Sequence, residues 1–332
     1  MSLFKAETRR LSKRRFSRFF VLLALVALAL VAAGVAVSNQ KPTASAIAAA
    51  QAEADRDFQE QTKNAAEEKQ RCEAAPAQYG GKCDELWTPA REDFRAENYM
   101  PSQFDFRSSF PNMVITFAAL FALVAFVIGA SFVGAEWNSG GMMNLLLWRP
   151  QRVRVLSTKL SALITWLFGL TVVAAAAWTG VFWLIATFRG TTERMTPGAW
   201  QSIGLMGLRG LGMVLVAGVL GFGVASLGRH TAAALGAAIA VVVVFQFGLG
   251  VVLRLANVKF ADAYLLPYWI AAWMTKSAEI IDYNAPCDFS VTEGCRQPTF
   301  TITWQMAGTA FAAVSIIIVG AAMWTIRKRD IT

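Results

Sequence analysis

Few side chains in this chain of 332 residues are equipped for chemistry. The single histidine, His230, stands beside Arg229 in a short turn, and one imidazole builds neither a histidine-rich metal site nor a histidine-based nucleophile relay. It reads as a solvated turn residue. The patterns H-E-x-x-H, C-x-x-C, G-x-S-x-G and G-x-x-x-x-G-K-[ST] are all missing from the sequence, so no P-loop holds ATP. No catalytic residue, metal ligand or resident cofactor is assigned to this chain.

What remains falls into three sets. Cys72 lies 11 residues before Cys83, and Cys287 eight before Cys295. Even numbers and short spacings predict two local disulfides, Cys72–Cys83 and Cys287–Cys295, with pairing between the two loops as the alternative. The second set is Phe117, Phe121, Arg209 and Gln246, which stand inside long apolar runs. Arg209 either snorkels to the headgroups or meets an anionic substrate in a cavity. Gln246 bonds a neighbouring helix or lines a path. Phe117 and Phe121 pack in a core or wall a hydrophobic route. Ionisable groups are otherwise scarce in the runs, which argues against a proton or ion pump. The third set is Gly134–Lys159, "GAEWNSGGMMNLLLWRPQRVRVLSTK", which opens on Glu136 and turns basic from Arg149 onward.

These residues need a scaffold, and composition identifies it. The chain is 55% hydrophobic and 16% charged, where a soluble domain carries about a quarter charged residues. An all-α membrane protein follows. A bilayer takes about 20 helical residues to cross, and six runs qualify, at 19–37, 113–133, 160–188, 203–227, 231–253 and 304–326. The first is too long for a signal-peptide core and lacks a good cleavage site, so it reads as a span. Short basic loops set orientation. With the N-terminus inside, segments 1–18, 134–159, 228–230 and 327–332 hold 15 of the 31 Lys/Arg and three of the 22 acids. Both termini are therefore placed in the cytoplasm, and all four cysteines fall outside.

Residues 1–18 form a basic amphipathic stretch with Leu3, Phe4, Leu11 and Phe16 on its apolar side, suited to the membrane interface. Residues 38–112 form an outside insert. Its first half is rich in helix formers, Pro42 suits a first helical position, and Ile47, Ala54, Phe58, Ala65 and Cys72 make one thin stripe. Residues 254–303 contain "YLLPYWIAAWM", too short to span and suited to a re-entrant or interfacial helix over 264–274. Two small-residue trios, Ala217/Gly221/Ala225 and Ala232/Gly236/Ala240, predict close helix approach in the fourth and fifth spans.

The cytoplasmic segment offers an apolar helical patch ending at Pro150, followed by Arg152, Arg154 and Lys159, with these cations expected at the headgroups. A membrane protein with no motor of its own needs such a handle for a soluble partner. At this point the chain resembles the type-2 ATP-binding-cassette permease subunits of bacterial exporters. The residues that carry the resemblance are Glu136, Gly140, Leu146 with Leu147, Pro150, Arg152 and Lys159; Gly141 departs from the threonine usual there. The resemblance implies that this segment is the coupling helix docking on an ATP-binding subunit that holds ATP and magnesium. It implies a second permease chain, identical or related, around a central path in a bacterial plasma membrane. Glu136 is then the charged contact at the start of the handle; otherwise it is an N-terminal acid of a solvated loop helix. The permease itself would be no enzyme, and nucleic acid is no partner. Export of a hydrophobic or amphipathic compound is the function implied. The alternative is a permease-like protein that transmits force or a signal to an extracytoplasmic partner.

Overall fold

A helix in lipid must satisfy its backbone internally, so helices here run past their apolar runs to the first residue that stops them. The computed structural model describes residues 3–79, 82–148, 151–282, 285 and 297–328. Among the described residues, six helices are long and apolar enough to cross a membrane. They are α2 (Arg15–Ser38), α4 (Phe106–Asn138), α6 (Arg152–Arg189), α7 (Pro197–Gly228), the stretch Thr231–Leu255, and α11 (Trp304–Lys328). The fifth is α8 (Thr231–Val241) continued through a π-helical segment, Val242–Gly248, into α9 (Leu249–Leu255). The stops are chemical. Thr196 caps α7 by accepting from the Ala199 N–H at 3.2 Å, with Pro197 at the first helical position. Arg229, at φ 52°, ends α7, and His230 Nδ1 caps α8 by accepting from the Ala232 N–H at 3.1 Å. The lone histidine is thus an exposed turn residue with a capping role.

Two compact units divide the chain. The first comprises Met1–Leu30, Ser109–Gly180 and Met195–Thr332. At its centre α4 and α7 run against one another. A Cβ on Gly129 would overlap the Gly218 carbonyl, and one on Gly221 the Phe126 carbonyl, so glycine sets how near the two backbones come. Within their most apolar windows α4 is 50% buried and α7 44%, against 6% for Thr231–Leu255. That contrast corrects one expectation. Gly221 and Ala225 pack as the first trio predicts, but Ala232, Gly236 and Ala240 are exposed, and a Cβ on Gly236 meets nothing within 4 Å among the described residues.

At the end of this unit remote from both termini, α10 (Leu266–Thr275) lies against β3 (Ser277–Ile281) and β4 (Thr299–Thr303), an antiparallel pair. Ala272, Ile280, Ile302 and Ala307 form its core. The strands are an addition to the all-helical expectation. The segment between them includes Cys287 and Cys295, which lie outside the described residues.

The second unit comprises Val31–Ser108 and Val181–Arg194. Its main element is α3 (Ala44–Ala74), capped by Thr43, so Pro42 precedes the cap and does not open the helix. Cys72 and Cys83 form a disulfide with Cα atoms 5.7 Å apart. Phe58 meets Phe94 edge-on and lies under Arg91, which pairs with Asp55. The chain returns through 3-10 turns to β1 (Phe104–Asp105), parallel to β2 (Gly190–Thr191); a Cβ on Gly190 would overlap the Phe104 carbonyl.

Candidate functional site

The hinge between α4 and α6 is where sequence and structure meet. Asn138 ends α4, the Ser139 N–H still donates to the Ala135 carbonyl at 3.0 Å, and Gly140 turns the chain at φ 71°. That conformation favours glycine. The Gly140 carbonyl then accepts from the Asn144 N–H at 3.2 Å and starts α5 (Gly141–Trp148), whose Met142 is fully buried. Pro150 and the side chain of Leu146 lie outside what the structure describes.

Glu136 sits in the last turn of α4 and is 5% exposed, so it is not the N-terminal acid of a solvated helix. A carboxylate at a helix C-terminus opposes the dipole and needs cations to hold it. It has two. Lys159 Nζ lies 2.8 Å from Glu136 Oε2, and Arg10 Nη1 lies 2.9 Å from Glu136 Oε1. Lys159 is fully buried rather than at the headgroups, and it reaches a second carboxylate, Glu7 Oε1, also at 2.8 Å. Both lysine contacts are close ion pairs whose angles fall outside hydrogen-bond geometry.

The result is a chain of alternating charge, Glu7–Lys159–Glu136–Arg10, with no net formal charge. It joins α1 (Leu3–Lys13), the end of α4 and the first turns of α6. The Phe132 ring floors it, with the Lys159 ammonium 5.1 Å and the Arg14 guanidinium 5.9 Å from the ring centre. Arg14 donates to the Ser131 carbonyl at 3.2 Å; burial lowers its pKa from the ordinary arginine value, and the Glu136 carboxylate opposes that shift. The opposite flank of the α4 end is fixed as well. A Cβ on Gly134 would lie 2.5 Å from the Thr231 nitrogen, and Arg229 lies 4.9 Å from the Trp137 ring centre.

Each buried ion costs several kcal/mol to desolvate, so this arrangement specifies a geometry more than it adds stability. The ion pairs join α1, α4 and α6 at the hinge, with the short α5 beside them. Beside it, Gln151, Arg152, Arg154, Ser157 and Arg327 border an open groove of about 640 Å³. Three arginines make the groove cationic.

The other sequence candidates do not share one site. Phe117 lines a cavity between α4, α6 and α7, and Phe121 stacks on Phe117 with ring centres 4.4 Å apart. Arg209 is elsewhere: its Nη1 donates to the Met274 carbonyl at the end of α10 at 2.9 Å, and Trp273 Nε1 returns a bond to the Arg209 carbonyl at 2.8 Å. Its cation faces the Trp304 ring at 5.9 Å. Arg209 therefore ties α10 to α7. Gln246 stands in the π-helical segment and does not line that cavity.

Sequence reasoning missed Glu7, Arg10, Arg14 and Phe132. One signal was present. Glu7 is the lone acid among seven cations in residues 1–18, four residues before Leu11, the other buried side chain of α1.

Comparison with known proteins gives one positive result. No curated protein and no solved structure matches the chain. A protein-family model described as ABC-2 family transporter protein matches residues 1–330. With six membrane-length helices and a match across nearly its whole length, the chain belongs to the ABC-2 family of transporter proteins and is a membrane permease subunit of an ABC transporter.

Proposed function

We propose that the Glu7–Lys159–Glu136–Arg10 cluster is the joint through which a separate ATP-binding subunit moves this permease, and that the complex exports a hydrophobic or amphipathic compound. The observation that carries this reading is the burial of Lys159 between two carboxylates from different helices. A push on α5 or on the groove beside Arg152 is passed to α1, α4 and α6 together, because the ions fix their register. The partner binds ATP and magnesium, and a second permease chain completes the path. In this reading both termini and α5 face the cytoplasm of a bacterial cell, in line with the basic short segments. Export is favoured because the family is mostly one of exporters. The 31-residue α3, exposed along most of its length, favours the second reading, force transmission to an extracytoplasmic partner.

Purification from the native membrane in mild detergent, followed by ATPase and vesicle-transport assays, tests the proposal. Wild type is expected to bring an ATPase with it. Arg152→Glu with Arg154→Glu reverses the groove's charge and is expected to shed that subunit, whereas Glu136→Gln keeps it but hydrolyses ATP without transport. A chain that isolates without any nucleotide-binding subunit refutes the coupling proposal. Coupled ATPase activity with no vesicle transport of any amphipathic compound shifts the reading to force transmission.

A further inference from the structure

A cavity of about 280 Å³ lies between α4, α6 and α7, away from the ion cluster. Ligand sites run from about 300 to 1,000 Å³, so this one has room for a chain and not for a headgroup. Its wall carries no charged side chain; two of its polar groups are spent on backbone carbonyls, and the buried Thr171 hydroxyl has no partner among the described residues. Trp178 Nε1 donates to the Met113 carbonyl at 3.0 Å, and the Thr179 hydroxyl to the Ala175 carbonyl at 2.8 Å. Apart from the Thr171 hydroxyl, the inward surface is ring and aliphatic.

The glycines of α7 mark the space as kept open. Glycine in a helix costs about 1 kcal/mol relative to alanine. At Gly218 and Gly221 that cost has a visible return, since a Cβ there would strike a neighbour. Gly204 and Gly207 line the cavity, and a Cβ on either meets nothing within 4 Å. No packing among the described residues requires them to be glycine. Three residues apart, they share a face and notch the helix where something else can lie.

The mouth and the depth say what that is. Leu208 and Val172, on the rim, are 63% and 44% exposed, and they belong to membrane-spanning helices, so the opening faces lipid. From Trp200, in the first turn of α7, to Leu211 the helix rises about 16 Å, which is about half of a 30 Å hydrocarbon core. The cavity therefore reaches from one interface to near the midplane, the depth of one leaflet. We infer that it binds a single acyl chain of a membrane phospholipid from the leaflet at the Trp200 end. The headgroup stays outside, level with that tryptophan. The inference is independent of what the transporter carries.

The test uses the full chain in phosphatidylcholine vesicles containing a phosphatidylcholine with a diazirine midway along one acyl chain. After irradiation and digestion, label is expected on peptides covering 171–179 and 200–211. Gly207→Phe, which fills the cavity, is expected to lower that labelling at least fivefold, and Gly204→Leu to do so independently. Label on the exposed Val243 and Phe247, outside the cavity, stays unchanged and reports correct insertion. Equal labelling of the cavity wall in wild type and both variants overturns the proposal. So does an unlabelled wall accompanied by a copy-to-copy disulfide through Leu208→Cys, which would identify a second permease chain as the occupant.

Discussion

Replacing Lys159 with methionine separates a structural ion pair from a working joint. The lysine is fully buried, and its ammonium lies 2.8 Å from Glu7 and from Glu136, which are 4% and 5% exposed. Without it, Glu7 loses its ion pair, and Glu136 is left with Arg10, whose side chain is 56% exposed and screened by water. Removing one partner of a buried pair costs about 3–5 kcal/mol. At about 2 °C per kcal/mol, the lower end for a large chain, the melting midpoint should fall by about 6–10 °C. Arg10→Ala, at the exposed end of the same cluster, should cost about 1 kcal/mol or less. Differential scanning fluorimetry in one detergent reads both.

The decisive variant is the neutral set Glu7→Gln, Glu136→Gln and Lys159→Met together. Buried ion clusters replaced by uncharged groups of similar volume often lose no stability, so most of the 6–10 °C loss should return. ATP hydrolysed per substrate moved should remain far above wild type, because the charge that fixed the helix register is gone. A single Lys159→Met variant that melts within about 1 °C of wild type refutes the burial argument. A triple variant that transports with wild-type coupling refutes the joint.

Two further outcomes follow from contacts outside the hinge. Arg209→Met removes a charge-assisted bond to the Met274 carbonyl, worth about 1.5–3 kcal/mol, so hydrogen exchange over 266–275 should quicken while 113–133 stays protected; unchanged exchange in α10 would show that Arg209 does not anchor it. Gly129→Ala should destabilise by about 1–3 kcal/mol, because its new Cβ overlaps the Gly218 carbonyl, whereas Gly169→Ala, with nothing within 4 Å, should be neutral or slightly stabilising; equal melting of the two variants would contradict the close α4–α7 approach.

The spans were legible because lipid makes one demand, about 20 apolar residues, and six runs meet it. The hinge was legible in part. Glu136, Gly140 and Lys159 stood out by type and spacing, but their roles did not. Lys159 read as a headgroup anchor because a lysine near a basic run is usually exposed, and its two carboxylates lie 152 and 23 residues away along the chain. No local pattern encodes a pairing of that kind. The β3–β4 pair was visible as alternation in "TFTIT", where Ile302 is buried between an exposed Thr301 and a half-buried Thr303, but one five-residue run beside long apolar helices is a weak signal. The small trio on Thr231–Leu255 failed for a different reason: spacing shows that a helix can be approached closely, and not which helix approaches it.

Why a membrane protein should place charges at a hinge follows from what apolar packing lacks. Contacts between aliphatic side chains are non-directional, so helices held by them alone slide and rotate at small cost. In lipid even the hydrophobic drive between helices is absent. Ion pairs are directional and short-ranged, and losing one in a dry site is costly, so two arrangements of such a cluster are discrete rather than continuous. A lever has to move as one piece when pushed and stay put when not. Under the proposed coupling, the apolar α4–α7 core supplies stability, while four side chains at its basic end supply register, and only the second is addressed by the partner. That division makes a specific demand: the neutral triple variant must separate melting temperature from coupling, moving one back toward wild type without the other.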